Sequence, residues 1–413
     1  MKKFTVNKTA VLLLFLGIFL MQDKLQEWFQ PFQYFDEAFG LLLFPLLALR
    51  VLQKRNPITV NRRTILFFVC LGIFWLGGWA GHFRYQYQPL TNALKDSFVN
   101  LKFFMAAAAA FLIFDDGKTD FEKLKDTLWP ILNTITVELF ALCVLDLIFG
   151  VFSTEFRGPL RAVKLFYSAY TTLVSNCILL SAIYLWYFDR KQKKIIPYLL
   201  MLSFIMYCTR RVKGIGAIGC IVLVYLLILR NRKTLSKKTK LFVALVMAFA
   251  VAAGGYQLLS YYFLMGTGSA RAMLTLASPF IAWDHFPTGS GWATFGSFFS
   301  AEPYSPIYGM YRMAGIWGLS PDYNAFVADT YWPMIIAQTG FIGFAAFVAA
   351  MALFLMAFLA PRTHRPARAS GAMVVLYLLI SSTSESAFAN PIAVPMAFWL
   401  GFLLAERRAQ VAE

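Results

Sequence analysis

The chain has 413 residues, 59% of them hydrophobic and 14% charged, with a mean hydropathy of +0.61. Soluble domains carry about 25% charged residues, so composition excludes both a water-soluble enzyme and a disordered binder. The net charge of +17 would suit nucleic acid, but the basic residues sit in short clusters between apolar runs, as membrane topology signals do.

A spanning helix needs about 20 apolar residues to cross a hydrocarbon core about 30 Å thick. In chain order, apolar runs occupy 8–21, 37–53, 65–83, 99–114, 128–152, 166–188, 196–209, 214–230, 241–263, 331–360, 371–384 and 391–405. They predict an all-α polytopic membrane protein of about 12 spans, with 1–413 forming one domain because little chain remains for a soluble unit. The first run lacks a following small-residue cleavage site and reads as a span rather than a signal peptide. The runs at 196–209 and 371–384 are short and are expected to be tilted or broken.

Basic clusters fall in alternate connections. They are Lys2 and Lys3; Lys54, Arg55, Arg62 and Arg63; Lys118, Lys123 and Lys125; and Arg190, Lys191, Lys193 and Lys194. Arg230, Arg232, Lys233, Lys237, Lys238 and Lys240 follow, then Arg362, Arg365 and Arg368, and finally Arg407 and Arg408. The positive-inside rule places these clusters and both termini in the cytoplasm, in a multi-pass protein of the cytoplasmic (inner) membrane. Cys70, Cys143, Cys177, Cys208 and Cys220 lie in or beside apolar segments without metal-ligand spacing and read as packing residues.

The opposite side carries one long segment, 264–330, rich in Gly, Pro, Ser and aromatics. A loop of this length is functional or disordered, and its apolar content argues against disorder. The stretch "ARAMLTLASPFIAWDHF" is expected to form a short helix along the membrane interface. An active site, if present, faces outside.

Cations on this outer side are few and costly, which makes each one informative. Arg157, Arg161 and Lys164 precede the run at 166; Arg210, Arg211 and Lys213 sit in the tight turn "YCTRRVKGIG"; Arg271 and Arg312 lie in the long loop. Any single one reads equally well as a snorkelling anchor or a partner for Glu155 or Asp284. As a set, three outer segments each offering Arg point to an anionic ligand, because the guanidinium fork matches phosphate oxygens. The acids Asp284, Glu302, Asp322, Asp329 and Glu385 are each an Arg partner or a general base. His82, His285 and His364 are uninformative, and no metal cluster, phosphate loop or nucleotide fingerprint occurs, so no cofactor and no metal are expected.

Some of these segments resemble a known family. "GSGWATFGSFFSAEPYSPIYGMY" and "ADTYWPMIIAQTGFIGF" resemble Wzy-type polysaccharide polymerases of the O-antigen ligase superfamily, as do "RRVKGIG" and "GPLRAVKLFYSAYTTLVSN" upstream. The resemblance covers roughly 155–400 and rests on the order of the motifs: many spans, a long outer loop, then a polar motif entering a span with a Gly-containing triplet. Here these are Asp329-Thr330-Tyr331-Trp332 and Gln338-Thr339-Gly340. The ligases carry His-Asn where this chain has Asp329-Thr330, and many relatives carry His-Pro where it has Ala169-Tyr170. Asp at that place fits a polymerase-like member better.

The resemblance implies glycosyl transfer between polyprenyl-diphosphate-linked oligosaccharides, with no nucleotide sugar. Membrane lipids surround the protein, and a chain-length regulator and a flippase are its expected partners. Arg161, Arg211 and Arg271 are the candidates to hold the leaving diphosphate, with Arg157, Arg210 and Lys213 in support. Asp329 is the base for the acceptor hydroxyl, and Trp292, Tyr304, Tyr308 and Trp332 stack on sugars unless they are packing residues. Ligase-type transfer to another acceptor and glycolipid transport are the alternatives. Transport would favour inverted half-repeats, and no convincing repeat is visible.

Overall fold

The computed structural model describes residues 7–52, 61–157, 159–229, 266–359 and 364–412. Three of its long helices start where a capping side chain meets an apolar run. Asn7 accepts the Thr9 and Ala10 N–H groups to open α1 (Lys8–Trp28), and Asn61 accepts that of Thr64 to open α4 (Arg62–Tyr85). Asp120 accepts that of Lys123 to open α6 (Phe121–Phe149), which Gly150 ends in the left-handed region. Between them lie α2 (Phe35–Leu41), α3 (Leu43–Leu52) and α5 (Leu90–Phe114). A two-residue hairpin, β1 (Phe156–Arg157) with β2 (Leu160–Arg161), precedes α7 (Tyr170–Trp186), α8 (Phe188–Lys191), α9 (Ile196–Cys208) and α10 (Val212–Val224). After the undescribed stretch come α11 (Ala270–Asp284), α12 (Pro306–Met310), α13 (Tyr331–Leu359), α14 (Arg365–Ser381) and α15 (Ala393–Ala412).

The protein is therefore all-α in its body, and among the described residues six helices are long and apolar enough to cross a membrane. These are α1, α4, α5, α6, α10 with its π-helical extension to Leu229, and α13 up to Phe358. Three expected boundaries move. The run at 37–53 is broken into α2 and α3, because Pro45 has no N–H to offer the Leu41 carbonyl. The run at 166–188 becomes helical only at Tyr170, since Leu165 adopts a φ of 55° that no right-handed helix accommodates. The run at 371–384 is displaced to Arg365–Ser381. The run at 241–263 and the basic cluster before it lie outside the described residues.

Packing sorts the helices into two shells. Nearly every residue of α7 and most of α14 are buried, as expected for helices apolar on all sides. By contrast α4 leaves Ile65, Leu66, Phe68, Val69, Ile73 and Leu76 exposed, a surface suited to hydrocarbon rather than water. All five cysteines are buried and free.

Ion pairs show which helix ends lie together. At one end Lys8 pairs with Asp116 (3.4 Å), Arg50 and Arg408 both reach Asp115 (2.9 and 2.8 Å), and Lys125 reaches Glu406 (3.2 Å). Thus α1, α3, α5, α6 and α15 share an end, and they carry basic clusters there.

The segment 266–330 is folded around a small core of its own, with Leu274, Ile281, Phe295, Tyr308, Met313, Leu319 and Val327 buried together. Within it α11 matches the expected short helix and exposes Leu276, Phe280 and Trp283 along one face. Residues 289–297 descend between α4, α5 and α13. The descent depends on Gly340, whose φ of 67° and ψ of −179° interrupt α13. The interruption lets the Ala337 and Gln338 carbonyls accept the Ser290 and Gly291 N–H groups at 2.9 and 3.0 Å. Gln338 Nε2 adds a 2.7 Å bond to the Phe295 carbonyl. From α5, the buried Asp96 accepts the Ala293 N–H at 2.7 Å. Irregular backbone at this depth survives only because protein satisfies its polar groups.

A β-carbon at position 340 would meet Gly289 N and Pro287 O at 2.8 Å, on a backbone geometry essentially restricted to glycine. Gly340→Ala is expected to cost about 1–3 kcal/mol and to loosen the loop. Thermal unfolding in detergent together with limited proteolysis of 289–297 checks this; wild-type melting and protease resistance would refute it.

Candidate active site

The end of the bundle opposite the Asp115 cluster gathers charges from five segments. The Arg210–Arg211 turn joins α9 to α10 and is tight. Arg210 takes a φ of 54°, and its guanidinium lies 4.4 Å from the Tyr207 ring centre. Arg211 is the N-cap residue of α10 and lies 4.4 Å over the Tyr170 ring, at the start of α7. The Tyr170 hydroxyl donates to Glu155 Oε2 at 2.7 Å, while Arg157 Nε donates to Glu155 Oε1 at 2.8 Å. These two bonds hold the Glu155 carboxyl below its ordinary range.

Two residues beyond Arg211, Lys213 turns to the other side. Its Nζ lies 3.0 Å from Glu385 Oε2, in the connection after α14. Beside this pair Arg271, on the first turn of α11, places Nε and Nη2 at 3.1 and 3.0 Å from Asp329 Oδ2. The two pairs act electrostatically on each other. Burial pushes the Asp329 carboxyl above its ordinary pKa, and Arg271 and Lys213 counter that only in part. Asp329 keeps 29% of its side chain exposed, against 15% for Glu385.

The connection between α14 and α15 is what brings Asp329 here. Ser386 Oγ donates to the Ala328 carbonyl (2.9 Å), Trp332 Nε1 to Ser382 Oγ (2.9 Å), and the Tyr331 N–H to the Ser382 carbonyl (3.4 Å). Around it Thr330 Oγ1 and Glu385 Oε1 are buried without a hydrogen-bond partner among the described residues. Unsatisfied polar atoms of this kind are costly in a fold alone.

The sequence-derived residues divide accordingly. Arg157 and Arg211 meet at Tyr170, while Lys213, Arg271 and Asp329 meet beside Glu385, the two groups joined through the first turn of α10. Arg161 stands aside, donating from Nη1 to the Asp146 carbonyl at 3.1 Å near the end of α6. Trp292 is fully buried, edge-on to Phe74 at 5.3 Å, and donates to the Trp75 carbonyl at 3.2 Å. It therefore pins the loop to α4. Tyr304 donates to the Leu319 carbonyl and packs 5.2 Å from Tyr308, and Tyr308 accepts the Gly296 N–H at 2.9 Å. In this state these aromatics and Trp332 hold the loop. Glu302 and Asp322 are exposed, and Asp284 accepts the Tyr311 hydroxyl at 2.7 Å. Sequence reasoning assigned neither the pairing of Glu385 with Lys213 nor the role of Asp96, since both depend on contacts between distant segments.

Two cavities lie apart from these charges among the described residues. One of about 350 Å³, at the Lys125–Glu406 end, is lined by Glu122, Trp186, Asp189 and His364; a second of about 210 Å³ is an aliphatic cleft among α1, α6 and α7. The charged end is the better candidate for chemistry, because it combines several cations with partly exposed carboxylates. Among the described residues no group of three or more His, Cys, Asp or Glu side chains is placed to hold a metal. No protein-family model matches the chain, and no curated protein matches it.

Proposed function

We propose that this protein is a polysaccharide polymerase that joins polyprenyl-diphosphate-linked oligosaccharide repeat units on the outer face of the cytoplasmic membrane. The observation that carries this reading is Arg271 and Lys213 beside Asp329 at one end of the bundle, with Arg211 two residues from Lys213 at the head of α10. The described helices alternate in direction, which suits a fold of about 12 spans with both termini on the cytoplasmic side. In this reading the exposed stripe on α11 rests on the membrane surface.

The reaction follows from these parts. The acceptor hydroxyl oxygen forms a bond to the anomeric carbon of the growing glycan. The bond from that carbon to the diphosphate oxygen breaks, and its electron pair leaves with the lipid diphosphate. Arg211, Arg271 and Lys213 stabilise that developing charge. The acceptor proton passes to Asp329 and then to water.

Deleting the gene in its host and measuring lipid-linked glycans by mass spectrometry tests the proposal. Single repeat units are expected to accumulate while polymer disappears. Accumulation of long lipid-linked polymer would instead indicate transfer of finished glycan to another acceptor. Unchanged glycolipids would refute both and favour transport of another substrate.

A further inference from the structure

We infer that Asp329 is the resident counter-ion of the diphosphate site, exchanged off Arg271 when substrate binds, so that loading the donor is what releases the base. The inference rests on the polymerase reading and deepens it. Arg271 Nε donates to Asp329 Oδ2 at 3.1 Å, and its Nη2 lies 3.0 Å from the same oxygen. A diphosphate offers several charged oxygens to the same guanidinium and competes with the carboxylate for it.

The surroundings make the exchange consequential. Lys213 is engaged by Glu385 at 3.0 Å, so a second cation–carboxylate pair stands beside the first. Both pairs sit largely buried at helix ends, where a displaced carboxylate is not dissolved in bulk water. Once Arg271 turns to the diphosphate, Asp329 loses its main stabilising charge while burial persists, and its affinity for a proton rises. A base that strengthens only when donor is bound is protected from acting beforehand.

Binding of a short-chain prenyl diphosphate to the full-length protein in nanodiscs, measured by calorimetry, tests this. Asp329→Asn is expected to bind it about five- to tenfold more tightly than wild type while losing turnover. Arg271→Gln is expected to bind more weakly. In the Arg271→Gln background the Asp329→Asn gain is expected to fall sharply, since Asp329 competes chiefly through Arg271, the larger of the charges acting on it. An equal gain in both backgrounds would reduce Asp329 to a general electrostatic influence and overturn the exchange. Unchanged or weaker binding by Asp329→Asn overturns it as well, with the polymerase reading intact. Failure of wild type to bind prenyl diphosphate overturns both. Inorganic pyrophosphate is expected to follow the same pattern at lower affinity; a response to it alone would reassign the ligand to a soluble diphosphate.

Discussion

Replacing Lys102 with methionine is expected to destabilise the folded protein by about 3–5 kcal/mol, the cost of leaving a buried charge unpaired. Lys102 lies at the midpoint of α5, and its Nζ sits 2.5 Å from Asp36 Oδ2 and 3.2 Å from Glu37 Oε1, at the start of α2. The Lys102 and Asp36 side chains are 2% and 0% exposed. The substitution keeps the length of the side chain and removes its charge, stranding carboxylates between helices. The companion test separates charge from shape. Lys102→Met combined with Asp36→Leu and Glu37→Gln removes both sides of the pair and is expected to recover most of the loss, because burying an ion pair costs nearly as much desolvation as it returns. Chemical unfolding in detergent measures both. A single mutant as stable as wild type would show that the pair does not hold α2 against α5.

Arg211→Ala is expected to lower turnover by about 10²–10³, the loss seen when one preorganised donor to a developing anion is removed. The residue sits at the N-terminus of α10, its guanidinium 4.4 Å from the Tyr170 ring centre, and lies two positions from Lys213. The ring contact helps to place the guanidinium before any ligand arrives. Arg211→Lys is therefore expected to stay well below wild type, since an ammonium neither stacks in that way nor offers two parallel donors. Polymer formation from purified lipid-linked repeats, in variants inserted at wild-type levels, measures this. A fully active Arg211→Lys protein would mean that charge alone suffices there.

Much of this architecture was legible in the sequence, since hydrocarbon imposes a simple demand. Every spanning backbone must satisfy itself, so long apolar runs become helices wherever they occur. The exceptions have local causes. Pro45 breaks the run at 37–53, and the left-handed Leu165 delays α7. The motif Gln338-Thr339-Gly340 was visible as a pattern, but its task was not. Only the structure shows Gly340 interrupting α13 so that freed carbonyls hold the loop.

The candidate site divides in the same way. Arginines in the connections away from the main basic clusters stand out because cations there are sparse. Lys102 carried the same signal, a charge inside an apolar run, yet its partners lie 66 and 65 residues away and no periodicity points to them. Trp292 had the sugar-stacking residue type, but its burial against α4 gives it a packing role.

Composition and charge placement by themselves determined a helical membrane protein with its basic clusters in alternate connections, because hydrophobic length and loop charge act locally. Tertiary structure alone decided that Arg271 meets Asp329 and Lys213 meets Glu385. Ion pairs between segments so far apart in the chain are set by which helix ends the packing brings together, and a one-dimensional pattern does not encode that.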